Sequence, residues 1–152
     1  MQKPFVTVKG ADGKTITVEN YTVTYSRGCK NIGQYIVKIT FKGNYNRTVS
    51  KTYTITPKGT SISKLTASSK GFTAKWKKQD TQTTGYQIQY STNNKFVNAK
   101  TVAVSKNTTV SRKITKLKGK KKYYVRIRTY RIVSGKKYYS SWSGMKTITT
   151  KK

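Results

Sequence analysis

Tyr35, Val37, Ile39 and Phe41 occupy every second position without interruption, the period of a strand with one buried face. Tyr21, Val23 and Tyr25 alternate with threonines in the same way just upstream. Phe5, Val6 and Val8 start an earlier strand, Asp12-Gly13 turns it as a hairpin, and Thr15 to Val18 returns. After a loop from Ser26 to Gly33, a turn at Gly43-Asn44 and a last strand at Val49, Tyr53 and Ile55 complete about five strands. Pro57-Lys58-Gly59 then breaks the pattern, because proline cannot continue a central strand. Beyond it lie seven short runs. Ile62 and Leu65 mark the first, Phe72, Ala74 and Trp76 the second, and Tyr86, Ile88 and Tyr90 the third. Val102 and Val104, then Val110 and Ile114, mark the fourth and fifth; Tyr123, Val125 and Ile127 mark the sixth and Ile148 the last. Seven such strands suggest a two-sheet sandwich. The expected fold is all-β, two β-sandwich units in tandem, divided into residues 1–57 and 58–152. So short a linker predicts two units end to end with limited bending.

Charge changes the picture of partners, not of fold. Lys and Arg number 33 against 3 Asp and Glu, a formal net charge of +30. The basic residues are spread through the strands, and the aromatic content is too high for a disordered tail. Equipment for catalysis is thin. There is no histidine, so the commonest general base and metal ligand is missing. Of the carboxylates, Asp12 sits in a hairpin turn, Glu19 at a strand end, and Asp80 in a polar loop more than 60 residues on. No catalytic residue is nominated, no metal cage can be built from them, and no cofactor is expected. Cys29 is the sole cysteine, which excludes an intrachain disulfide. Beside Arg27 and Lys30 its thiol would be more acidic than usual, but an incidental loop cysteine outweighs a reactive one. No apolar run approaches the ~20 residues of a membrane span, so membrane insertion is not expected.

Two resemblances are carried by specific stretches. The segment KPFVTVKGADGKTITVENYTVTYSRGCKNIGQYIVKITFKGNYNRTVSKTYTI resembles the immunoglobulin-like repeat of large surface proteins of Gram-positive gut bacteria. The features that match are the DGK turn, the YTVTYS strand, N-x-G before a long strand, and KGNY before the closing strand. A further strand normally precedes KP in that family, so the repeat reads as truncated at Met1, a cut within a longer exported chain. Residues 58–152 resemble the fibronectin type III domain. FTAKWKK matches its second strand with the buried Trp76, and GYQIQYS its third. Leu117 followed six residues later by Tyr123 matches its tyrosine corner, whose hydroxyl ties back to the upstream loop. SSWS at 140–143 resembles the end of the Trp-Ser repeat of some members. No proline follows Trp76, and Gly119 lacks the adjacent proline of animal examples. The resemblance implies a non-catalytic module, secreted or at the cell surface, whose partners are neighbouring domains of a longer protein.

Three surfaces are candidates for contact. With Tyr123, Val125 and Ile127 inward, Tyr124, Arg126, Arg128 and Tyr130 point outward, as do Gln87 and Gln89 on the neighbouring strand. Trp142 could slot between Arg126 and Arg128, giving a ladder of rings and guanidinium groups. Such a ladder rigidifies the sheet and spends its own aromatic faces; as a ligand site it would suit a glycan. The hairpin around Ser134-Gly135 carries Lys136, Lys137, Tyr138 and Tyr139, which read equally as a contact patch or as a strand with one tyrosine buried. Lys116, Lys118, Lys120, Lys121 and Lys122 form the densest basic run, by default a solvated face, otherwise a contact for an anionic wall polymer, mucin sulfate or nucleic acid. Nonspecific nucleic-acid binding at low salt follows from net charge alone.

Overall fold

The computed structural model describes residues 3–43 and 47–152. The chain is all-β and divides into two compact units, Met1–Ile55 and Thr56–Lys152.

The first unit is built on one antiparallel sheet of three strands in the order β1-β2-β3: Tyr21–Tyr25, Gly33–Phe41 and Thr48–Ile55. The alternation of Tyr35 to Phe41 falls on β2, the central strand, where Val37 and Ile39 are buried. The expectation of about five strands is not met among the described residues. The stretch from Pro4 to Val18 is joined only by an isolated bridge between Lys9 and Thr15. Its turn forms where Asp12-Gly13 placed it: Gly10 N–H donates to Lys14 O at 2.9 Å, Lys14 N–H to Asp12 Oδ1 at 3.0 Å, and Gly13 sits at φ +77°. The ladder stops there because the return leg closes into a 3₁₀ turn, Val18–Asn20, which also moves Glu19 off the strand end expected for it. Alternation misleads in this stretch, since Phe5 is 94% and Val18 71% exposed, while Val6, Val8 and Ile16 pack against Tyr21 and Ile39. The turn and strand signals expected at Gly43-Asn44 and in KGNY fall partly on Asn44 and Tyr45, and the truncation on Met1; all three lie outside the described residues.

Cys29 is buried and not on an open loop; its thiol donates to Ser26 O at 2.7 Å. Tyr53 stands in the same unit within an aromatic group with Tyr25 and Tyr35. Its hydroxyl is shielded from solvent, and that burial, with the Cys29 thiol beside it, pushes the phenol up to about 12.

The second unit is a two-layer sandwich. One sheet is β4-β5-β8: Ile62–Ser68, Gly71–Trp76 and Ser111–Ile114. The other runs β10-β9-β6-β7, and contains Lys136–Tyr139, Lys122–Val133, Gly85–Ser91 and Lys100–Val104. A final strand, β11 at Lys146–Thr149, also pairs with β9. Eight strands therefore stand where seven were expected. The last is broken in two, with β10 on the C-terminal half of β9 and β11 on its N-terminal half. Inward residues of both layers form one core, in which Phe72, Tyr86, Ile88, Val125 and Ile127 are fully buried and Trp76 packs on Tyr86 at 5.3 Å between ring centroids. Buried hydroxyls are tied to backbone. Tyr86 Oη accepts from Gln79 N at 2.9 Å and donates to Asn107 O at 2.8 Å. Tyr123 Oη accepts from Lys118 N at 3.2 Å, the corner expected from the Leu117–Tyr123 spacing.

Candidate functional site

The outward face of the larger sheet carries the ladder. On β9, Arg126 and Arg128 stand two residues apart and so project on the same side. The chain returning from β10 lays Trp142 against both, with guanidinium carbons 4.7 Å (Arg126) and 4.2 Å (Arg128) from a ring centroid. Tyr139 closes one end, 3.8 Å from Arg128, and Phe96 the other, 4.0 Å from Arg126. From β6, Gln87 Oε1 accepts from Arg128 Nε at 2.7 Å and Gln89 Oε1 from Arg126 Nε at 2.8 Å. The order is Phe96, Arg126, Trp142, Arg128, Tyr139, each cation between two rings and pinned by one amide. Burial lowers the pKa of both arginines; for Arg128 the neighbouring Tyr139 works against that shift and Arg126 adds to it. A guanidinium this basic keeps its charge at any ordinary pH.

Two serines hold Trp142 in register. Ser140 N–H donates to Thr129 O while Ser140 Oγ accepts from Thr129 N, both at 3.1 Å. Ser143 repeats the arrangement on Ile127, at 2.8 and 3.1 Å. Each serine thus answers both backbone groups of one β9 residue, and the chain between them is free to turn the indole onto the sheet. The hairpin that brings this segment back is a two-residue turn at Ser134 and Gly135, at φ +47° and +77°, the combination that matches strand twist.

Several expected site residues stand elsewhere. Tyr130 is not an exposed contact: it is 4% exposed. It pairs across the sheet with Gly85, which has no side chain, so the ring lies over that gap and its hydroxyl reaches Val104 O at 3.4 Å. Tyr139 and the Lys137 ammonium cover it, at 6.1 and 5.3 Å. Burial, then Tyr139, raise the Tyr130 pKa. The hairpin tyrosines are not a free pair, because Tyr139 is spent on the ladder and Tyr138 is half-buried with Lys136 over its ring at 5.5 Å. Tyr124 is half-buried on the ladder side, under the ammonium of Lys122 at 5.4 Å. Phe96 is the member that sequence reasoning missed; its only signal is a lone aromatic in the polar loop STNNKFVNAK.

The basic run is divided by the fold. Lys116, Lys118 and Lys121 border a cleft of about 550 Å³ at one end of the sandwich, joined there by Lys100 from β7. Lys122 turns to Tyr124, and Lys120 is exposed outside the lining. Among the described residues no group of His, Cys, Asp or Glu is assembled to hold a metal. Asp80, the only acidic side chain after Glu19, is paired with Lys78 at 2.9 Å.

The family model for the fibronectin type III domain matches residues 55–143, from the end of the first unit to the second serine of the ladder turn. Among solved structures, the chain is similar to the crystal structure of chicken CNTN1 FN1-FN3 domains, with a TM-score of 0.54 and 23% identity. The likeness covers 80% of this chain and 44% of that one, so the chain spans less than half the length of this relative, and at that identity it extends to fold alone. A search of the curated proteins finds no match. Domains of this type are generally non-catalytic structural or adhesion modules. The match spans more than half of the sequence, and β4 to β10 with their core tryptophan and corner tyrosine lie within it: the chain belongs to the fibronectin type III family.

Proposed function

We propose that the chain is a non-catalytic structural and adhesive module of a bacterial cell-surface or secreted protein, a spacer that presents a neighbouring domain. In this reading residues 1–57 are an immunoglobulin-like segment and residues 58–152 the fibronectin type III domain.

One observation supports it most directly. In the second unit the first strand and the chain end run side by side in the same direction: Ser69 and Lys151 form a parallel bridge, Lys70 N–H donates to Lys151 O at 3.2 Å, and Lys151 N–H to Ser68 O at 3.0 Å. A chain that enters at the start of β4 and leaves past Lys151 therefore enters and leaves this unit at opposite poles. Tension along it loads those hydrogen bonds in shear, all together, not one after another. The ladder adds to the same role, since rings stacked on guanidinium groups stiffen the sheet and offer few free faces.

The test is force spectroscopy on the intact chain. Handles at Thr56 and Lys152 load the unit in shear, whereas handles at Thr56 and Lys70 peel β4 from β5. The spacer reading expects a clearly higher unfolding force in the first geometry; an equal or lower force would overturn it. Turnover of a glycoside or ester substrate that disappears in Asp80→Asn would overturn the non-catalytic part.

A further inference from the structure

The cleft bordered by Lys100, Lys116, Lys118 and Lys121 is concave, cationic and without a counter-ion: no acidic side chain is among its lining residues. The lysines come from two places, β7 and the corner before β9, so the fold converges charges that are up to 21 positions apart in sequence. Facing them are neutral hydrogen-bonding side chains, Thr92, Asn93 and Asn98. Lys116 has φ +60°, a left-handed conformation that glycine or asparagine adopts with less strain; a residue serving the turn alone would be one of those.

We propose that this cleft binds the sulfate or phosphate esters of a linear saccharide or polyol polymer. The lysines meet the oxyanions, and the threonine and asparagines meet the hydroxyls between them. Such a site goes beyond the spacer role, which stands or falls on its own force measurement. Nucleic acid fits less well. Single strands are held by bases stacked on free aromatic faces, and the rings in the cleft floor, Tyr90 and Tyr123, are buried in the core. The rings beside it on the outer sheet are covered by arginine.

The experiment measures binding of the intact chain at physiological salt to three probes of matched charge: a heparin-derived octasaccharide, a glycerol phosphate oligomer and a dT oligonucleotide. Two triple variants are compared. Lys116→Asn with Lys118→Gln and Lys121→Gln empties the cleft; Lys64→Gln with Lys75→Gln and Lys113→Gln removes as many exposed charges from the opposite sheet. Lys100→Gln tests the facing wall by itself, and circular dichroism checks each fold. Exposed ion pairs give about two- to fivefold each, so the cleft variant should bind the ester-bearing probe about tenfold or more weakly, the control within about twofold. With three ammonium groups removed from the cleft, the log–log slope of affinity against salt should shrink by about two. Binding of the sulfated probe alone, the phosphate probe alone or both, with that selective loss, supports the site and identifies the ester. Equal losses in both variants, no binding of either ester probe, or oligonucleotide binding as tight and as sensitive to the cleft variant would overturn it.

Discussion

Replacing Trp142 by alanine removes the central rung of the ladder, and the cost follows from its geometry. Two guanidinium groups, at 4.7 and 4.2 Å, no longer have the indole to stack on. At ~0.5–1 kcal/mol each for partly exposed pairs, that stacking amounts to about 1–2 kcal/mol. A core tryptophan truncated to alanine costs ~3–5 kcal/mol; this ring is half-buried on a surface, so packing contributes about half of that at most. The contributions overlap, and the expected total is about 2–3 kcal/mol. Against a typical domain stability of ~5–15 kcal/mol, the unit stays folded but unfolds earlier, its urea midpoint falling by about 1–2 M. Fluorescence of Trp76, buried in the same unit, reports the transition without interference, because it is then the only tryptophan left. Arg128→Met, which keeps the aliphatic stem, completes a double-mutant cycle with an expected coupling of about 0.5–1.5 kcal/mol. A cost below about 0.5 kcal/mol for Trp142→Ala, or additivity within ~0.3 kcal/mol, would refute the claim that the ladder acts as one unit.

Three further outcomes are expected. Tyr86→Phe removes an acceptor for Gln79 N and a donor to Asn107 O, and should lower the stability of the second unit by about 2–3 kcal/mol in urea melts. Tyr123→Phe loses one bond and should cost only about 1 kcal/mol by the same assay. Gly85→Ala would place a methyl group 2.0 Å from Val104 O and 2.9 Å from the Tyr130 hydroxyl, so the second unit should lose its cooperative transition in calorimetry. In alkali, the raised Tyr53 pKa means that the folded first unit favours the neutral phenol. Its contribution is complete below the ordinary pKa of 10.0 and is lost as pH rises through about 12. Absorbance at the tyrosinate band should show one late-titrating phenol that Tyr53→Phe abolishes.

How far the sequence can be read depends on whether a residue's surroundings follow from its own strand. Arg126, Arg128 and Trp142 can be placed because period 2 fixes which side of β9 each arginine takes, and the Ser-Trp-Ser segment follows one hairpin later. Tyr130 obeys the same period, yet its burial is decided across the sheet, where Gly85 leaves room for a ring to lie down. That pairing cannot be seen along one strand. Phe96 is held at φ +58° in a loop, with no periodicity to place it on Arg126. In the first unit, the apolar pattern from Phe5 to Val18 suggests paired strands, although a single bridge is all the pairing that forms there. Hydrophobic runs show which residues prefer burial; they do not show whether a partner strand lies beside them. The lysine run, nearly continuous in sequence, is sorted by the corner into three that share a cleft and two that do not.

The two serines of the ladder turn also decide what the margin of the sheet can do. Between Tyr139 and Lys146 the middle of β9 has its amides answered by the Oγ and N–H groups of Ser140 and Ser143, not by a continuous ribbon. A foreign polypeptide arriving at this margin meets an irregular segment whose spacing it cannot copy, so growth of the sheet by strand addition stops there. For a module crowded among copies of itself, that interruption is a safeguard against edge-to-edge aggregation, and it is supplied by the same residues that aim Trp142.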